Sequence, residues 1–473
     1  MRAFASEVIM KILTGQPATS EQLRIISEGR PGTDVIRGAA GSGKTHTAIL
    51  RLETLTDIFK NRLDRSGSGR PVKVLVLTFN RTLCGYVEAF ARQSALSAGP
   101  VSMEVETFAR WAMIHTGMPQ VVSQGQRNDI IRSLASDIGL PHDFICSELE
   151  YIAGRFKNND LETYLGVRRD GRGAVPRVDR PVREKLIAVL KEYKKQLALS
   201  SVCDWEDLSA AMLSVDGLNY DIIIVDEAQD FSANQIRAIT HHLAPVNFFT
   251  LILDTAQRLY PRGYNWNEVG LGSNVRYHKL RENHRNTTEI AAFAAGILNG
   301  IQIDDDGALP DLSAAKRTGT KPTVVTGLYS KQVDYAINFI KNNVDLSKES
   351  VAFLQPRDGQ FFDFLKGRLA QAGISYEAIT RKREWPDESV NVVLSTMHSA
   401  KGLEFEHVFI LGLSALVTPH GEDQEDDQLL TLRRLLAMAV ARARISVHVG
   451  YKPGEESDLI QFFVPGTFQQ MVV

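Results

Sequence analysis

Short, unbroken apolar runs alternate along this chain with segments of helical period. The runs are Val74–Leu77, Ile222–Val225, Phe248–Leu253, Val351–Leu354, Val392–Leu394 and Val408–Leu411. A strand that is polar on neither face is covered on both, so the runs predict parallel sheets with helices packed on each side. Repeated strand–helix units of this kind predict an α/β fold. Between about Arg110 and Ser201 the pattern changes to helical periods broken by polar turns, among them the arginine-rich Gly166–Gly173. No comparable strand occurs there, and the segment reads as a helical insertion in the first α/β unit. Segments Asp304–Pro322 and Val417–Gln428, rich in Gly, Asp and Pro, read as solvated loops.

Composition narrows the setting. A chain of 473 residues with 44% hydrophobic and 23% charged residues has room for two to four globular domains with large cores. No apolar run reaches the ~18 residues of a membrane span, and the start of the chain lacks the apolar core of a signal peptide. A cytoplasmic protein with no membrane partner is expected. Cys84, Cys146 and Cys203 stand alone, without the paired spacing of a zinc or redox centre. Lys plus Arg total 54 and Asp plus Glu 56, a net charge of −2. A polyanion would therefore bind through a local channel and not through the field of the whole chain.

Two segments carry chemistry. Gly38-Ala39-Ala40-Gly41-Ser42-Gly43-Lys44-Thr45 follows the apolar pair Val35-Ile36 and fits the phosphate-binding pattern G-x-x-x-x-G-K-[ST]. Its glycines let backbone N–H groups turn inward, Lys44 reaches the β- and γ-phosphates, and Thr45 offers a hydroxyl to Mg²⁺. The helix expected after it points its positive end at the phosphates. The run Ile222–Val225 then delivers Asp226 and Glu227 to the end of a strand, where phosphate ligands of open α/β sheets bind. Asp226 is placed to hold Mg²⁺ and Glu227 to deprotonate the attacking water. Together the two segments predict a nucleoside-triphosphate hydrolase.

Asp226-Glu227-Ala228-Gln229-Asp230 resembles the D-E-x-Q-D box of the UvrD/Rep/PcrA group of superfamily 1A DNA helicases, and further boxes follow in the family's order. The resemblance implies ATP and Mg²⁺ as cofactors. It makes Gln22 the reader of the adenine edge, and it assigns Leu77-Thr78-Phe79-Asn80 and Thr107-Phe108 to single-stranded DNA. Asp204-Trp205-Glu206-Asp207-Leu208 is similar to the family's D-F-x-D-L element. In Asp254–Tyr260, Gln257 senses the γ-phosphate and Tyr260 stacks on a base, with Trp266 a further stacking candidate. Leu280–Thr287 resembles the box that sets Arg285 on the γ-phosphate. Thr396–Phe405 resembles T-x-H-x-A-K-G-L-E-F, which brings Thr396 and His398 to DNA and Glu404 to the nucleotide. Arg434–Arg444 resembles the last box and makes Arg442 the arginine finger. His284 stands where the family has a stacking tyrosine, His46 where an arginine follows the phosphate loop, and Ala437 and Ala441 where the last box has tyrosine and threonine.

The implied fold is two RecA-like P-loop domains with parallel β-sheets and a small helical insertion. Residues 1–109 and 202–274 form domain 1A, 110–201 the 1B-like insertion, and 275–473 domain 2A. The interval between the Arg285 and Thr396 boxes is too short for the family's large 2B domain. The implied activity is that of an ATP-dependent single-stranded DNA translocase and 3′-to-5′ helicase in repair or anti-phage defence, acting on single-stranded or tailed DNA. The alternative is a nucleic-acid-stimulated ATPase subunit that senses or regulates beside a protein partner such as a nuclease. Stacking contacts would serve RNA equally.

Overall fold

A computed structural model describes residues 18–38, 42–78, 84–85, 87–88, 100–169, 176–253, 264–272, 275–280, 283–301, 315–357, 359–380, 382, 390–421 and 426–473. Helix α1 (Ser20–Ile26) precedes β1 (Gly32–Gly38), α2 (Lys44–Arg65), β2 (Val72–Thr78), β3 (Val101–Thr107) and α3 (Phe108–His115). The insertion follows as α4 (Gln124–Leu134), α5 (His142–Arg155) and α6 (Arg180–Leu199). The chain then returns through α7 (Asp207–Met212), β4 (Tyr220–Val225), α8 (Ala233–His241), β5 (Leu243–Leu253) and β6 (Val275–Leu280). These six strands make one sheet in the order β3-β2-β4-β5-β1-β6, with every neighbour parallel.

A short pair, β7 (Asn283–Thr287) with β8 (Ala315–Arg317), flanks α9 (Thr288–Ile297). The second half continues with β9 (Thr323–Thr326), α10 (Tyr329–Asn343), β10 (Val351–Gln355), α11 (Gln360–Gln371), β11 (Glu377–Ala378), β12 (Val392–Thr396) and β13 (Phe405–Ile410). It ends with α12 (Asp427–Val440), β14 (Ala443–Tyr451) and β15 (Gln469–Val472). The second sheet, also parallel throughout, runs β11-β12-β10-β13-β14-β9-β15. All six apolar runs read from the sequence are strands of these two sheets, and the α/β expectation holds.

The strands without such a run lie at or near the edges. β3 reads Val-Ser-Met-Glu-Val-Glu-Thr, alternating because one face is wet, and β6 mixes Arg, Tyr, His and Lys for the same reason. Helix α3 supplies a second difference. Its Trp111 is fully buried in the core of the first sheet and donates its indole N–H to Tyr220 Oη at 3.1 Å. The insertion's own core begins at Val122 and ends at Leu197. A helical period shows that one face is buried but not against which core, so the sequence reading placed α3 in the insertion. The insertion's ends meet, with Val121 bridging Cys203. Just beyond, Asp204 accepts from Arg127 Nε at 3.2 Å and Tyr193 Oη at 2.8 Å, so the Asp204–Leu208 element fastens the insertion to the first sheet. Among the described residues no helix is long and apolar enough to cross a membrane.

Candidate nucleotide site between the two sheets

Strand β1 delivers the chain to Gly38 and α2 starts at Lys44, so the loop between them sits at the carboxyl edge of the sheet. Gly43 adopts φ 74°, and a Cβ there would lie 2.5 Å from Gln22 Nε2, so the position is closed to side chains on both counts. Gln22 is buried, closes a capping box with Thr19 at the start of α1, and donates from Nε2 to the Ser42 carbonyl at 3.4 Å. The glutamine nominated for the base thus braces the phosphate loop. Lys44 Nζ donates to the Gly38 carbonyl at 2.6 Å, and His46 is half-buried on the first turn of α2.

From the strand two places away, Asp226 Oδ2 accepts the Thr45 hydroxyl at 2.8 Å, 181 residues apart in sequence. Burial, with Glu227's charge adding, pushes the Asp226 carboxyl up to about 6. A half-buried hydroxyl beside a buried carboxylate at a phosphate loop is a donor set suited to Mg²⁺, which takes one or two carboxylates and completes its shell with phosphate oxygens and water. Glu227 holds φ 54°, a left-handed conformation that costs a non-glycine residue about 1–2 kcal/mol and turns the chain sharply out of β4. Its backbone N–H donates to Asp226 Oδ1 at 2.8 Å, and Gln229 Nε2 donates to its Oε2 at 2.5 Å.

The second half of the chain supplies the cations. After β12 the chain buries Lys401 completely, pairs it with Asp230, and sets its Nζ 3.3 Å from Glu227 Oε2. Arg285, on β7, pairs with Glu404. Arg442, just past α12, is buried and donates from Nε to the Met438 carbonyl at 3.3 Å and from NH1 to the Leu403 carbonyl at 3.4 Å. Burial alone would raise the Glu227 carboxyl, but Lys401, Arg442 and Lys44 outweigh it and hold the group below the usual carboxylate range. Glu404 is likewise lowered against its burial, chiefly by Arg285. Glu227 therefore shares a field with Lys44 from its own sheet and Arg442 from the other, and Arg442 also acts on Glu404 beside Arg285 of the β7–β8 pair. Lys401 joins them directly. In the sequence Lys401 stands within the Thr396–Phe405 box with no role attached, and the signal it offers is a lysine set in the small and apolar run Ala400–Leu403.

The nucleic-acid candidates divide. Phe79, Asn80, Gln257 and Tyr260 lie outside the described residues, as do Ala39, Ala40, Gly41 and the His284 side chain. Phe108 is 4% exposed and packs edge-on against Trp111 and Phe231, so its ring serves the core of the first sheet. Thr107 caps α3, accepting from Arg110 N–H at 3.3 Å. Trp266 is half-buried against the same core with Tyr264 edge-on at 5.9 Å. Thr396 donates to Ser399 Oγ at 3.1 Å, and His398 is half-buried in the following turn.

Residues 380–452 match the family model described as the UvrD-like helicase C-terminal domain, a span that contains Lys401, Glu404 and Arg442. A "Probable DNA helicase" of Mycoplasma pneumoniae is 25% identical over 289 residues, covering 55% of this chain and 51% of that protein. The "ATP-dependent DNA helicase PcrA" of Staphylococcus aureus is 38% identical over 66 residues, 13% of this chain and 9% of the relative. The chain thus spans about half, or much less, of the length of the curated relatives it matches. A solved C-terminal domain of a possible DNA helicase from Lactobacillus plantarum WCFS1 aligns at 20% identity and TM-score 0.30, covering 40% of this chain and 98% of that one. In residues 380–452 the chain is similar to the UvrD-like helicase C-terminal domain, and over longer or shorter stretches it is similar to these UvrD/PcrA-like helicases.

Proposed function

We propose that the chain hydrolyses ATP when single-stranded DNA is bound, and that it couples the hydrolysis to 3′-to-5′ movement and unwinding. The observation that carries the reading is the Thr45–Asp226 contact at 2.8 Å with Glu227 next in chain and cations of the second sheet facing it. Lys44 and the amino end of α2 hold the phosphates, while Thr45 and Asp226 hold Mg²⁺. Bound Mg²⁺ supplies neutralisation of charge on the β- and γ-oxygens. Glu227 takes the proton of the attacking water. Arg285 and Arg442 stabilise charge on the phosphoryl group, each a permanently charged fork brought from the second half of the chain.

Lys401 links this chemistry to motion. A general base needs a lone pair open to water, yet the Glu227 carboxylate has an ammonium 3.3 Å away. A shift of the second sheet against the first would move Lys401 off Glu227 and reset both arginines, so relative movement of the sheets gates turnover. A strand seated along Thr396 and His398 would act on the segment that carries Lys401.

The test is ATP turnover by the purified chain with and without single-stranded DNA or RNA, then unwinding of 3′- and 5′-tailed duplexes. Stimulation by DNA with unwinding of the 3′-tailed substrate is expected; absence of stimulation by any strand would overturn the reading. A second reading, a strand-stimulated ATPase subunit that relies on a partner for processing, draws on the interval between Arg285 and Thr396. Its described residues build elements of the second sheet and the small β7–β8 pair, and we propose that domain 2B is absent. Stimulation without unwinding would favour it.

A further inference from the structure

The insertion holds the first half of the chain at a second place besides its crossing points. At the crossings Val121 bridges Cys203, and beyond them the insertion packs a core of its own, separate from that of the first sheet. The second hold is polar and centres on Glu268, in the segment 264–272 between β5 and β6. Arg155, the last residue of α5, donates from Nε and Nη2 to the two carboxylate oxygens of Glu268 at 3.2 Å each, and its side chain is 7% exposed. Arg237, in the second turn of α8, donates from Nε and Nη2 to the Glu268 carbonyl at 3.1 and 2.8 Å, and from Nη1 to the Arg155 carbonyl at 2.8 Å. Glu268 also closes its own turn, accepting from Asn265 Nδ2 at 2.8 Å.

Glu268 is thus gripped by its carboxylate from the insertion and by its carbonyl from α8. A bidentate fork fixes direction as well as distance, so a displacement of Glu268 either breaks the pair or passes to α5 and α8. On one side of Glu268 lie Tyr264 and Trp266, edge-on at 5.9 Å and half-buried against the first core. Rings that keep part of their surface exposed can take an unpaired base. On the other side, α8 begins three residues after Asp230, the partner of Lys401, whose Nζ stands 3.3 Å from Glu227. Glu268 therefore lies between a surface suited to a strand and the acids of the ATPase site.

Resting on the hydrolase reading, we infer that Arg155 is a positioning residue for the strand response: it clamps Glu268 so that a strand stacked on the 264–272 segment acts, through α8, on the Asp230 side of the ATPase site.

ATP turnover by the purified chain is measured with and without an oligothymidylate strand in the wild type, Arg155→Ala, Glu268→Ala, the double variant and Arg155→Lys. Stimulated turnover should fall about tenfold in each single alanine variant, and the double variant should be no worse than either, as a shared interaction requires. Lysine keeps the charge without the fork and should recover only part of the loss. Turnover without the strand, and the ATP concentration at half-maximal rate, should match the wild type, whereas a variant that had lost its fold would lower both turnovers together. Unaltered stimulation, additive losses, or equal proportional losses with and without the strand would overturn the inference while leaving the hydrolase reading in place. A wild type that no strand stimulates would overturn the hydrolase reading, and the inference with it.

Discussion

Lys401, on the second sheet's side of the cleft, holds its ammonium 3.3 Å from the carboxylate of Glu227, on the first sheet's side, and both groups are buried. A lysine in such a place is neutralised by Asp230 and Glu227 together. Replacing it with methionine leaves two buried carboxylates without their cation. Breaking a buried pair this way costs about 3–5 kcal/mol. Lys401→Met should therefore melt well below the wild type, and nucleotide should recover part of the loss if Mg²⁺ supplies positive charge nearby. An unchanged melting temperature would mean that the clasp is open in solution.

Glu227 and Arg442 should separate binding from chemistry. Glu227→Gln keeps the size and the contact with Gln229 but removes the base, so ATP affinity should persist while turnover falls by a factor of about 10² to 10⁴. Arg442→Ala should lose about 10³ or more in turnover, the usual scale for an arginine finger. Equilibrium binding of ATP beside single-turnover hydrolysis measures both. Normal hydrolysis by the glutamine variant would remove Glu227 from the water-activating role, and matched losses of binding and turnover at Arg442 would give that residue a binding role instead.

How much of this was legible in the sequence depended on where each interaction is made. The central strands were visible because both their faces are dry, as in Ile222–Val225, where every residue is buried. The edge strands β3 and β6 were not, because a single wet face dilutes the apolar signal. The loop from Gly38 to Thr45 and the acids Asp226 and Glu227 could be read because each group is local in sequence. The Lys401 clasp joins residues 171 and 174 positions apart, and nothing in the spacing of either partner signals the other. Phe108 shows a related limit, since nothing local tells an aromatic after a strand that it packs on Trp111.

Acid should destabilise the second sheet through His448. This ring is 2% exposed, lies parallel to Phe409 at 4.5 Å, and is held by burial, with His407 adding, at a pKa of about 3. In the unfolded chain it titrates near 6.5, so the unfolded state binds the extra proton first. The stability from keeping the ring neutral is fully present above about pH 6.5 and is lost as pH falls toward 3, by about 1.4 kcal/mol per unit. Between pH 7.5 and 5.0, His448→Leu should lose about 2 kcal/mol less than the wild type in urea unfolding. Parallel losses would show that the histidine carries no linkage.

Gly154, near the end of α5, is where the insertion touches the segment that follows Glu227 and Asp230. A Cβ there would sit 2.9 Å from Ser232 Cβ and 3.0 Å from Glu206 Oε2, and Ser232 caps α8 two residues after Asp230. Asn234 fixes the same contact, donating to the carbonyls of Ala153 and Phe156 at 2.8 Å each. With the neighbours pinned, a larger side chain cannot be absorbed by one rotamer. Gly154→Leu should cost about 1–3 kcal/mol, the usual range for overpacking. The displaced Ser232 lies on the chain that carries Asp230, the partner of Lys401, so strand-stimulated turnover should fall further than stability alone explains. The comparison is made well below the variant's melting temperature, where the folded fraction is complete. Full stimulation there would show that the insertion is fastened to that segment without acting on it.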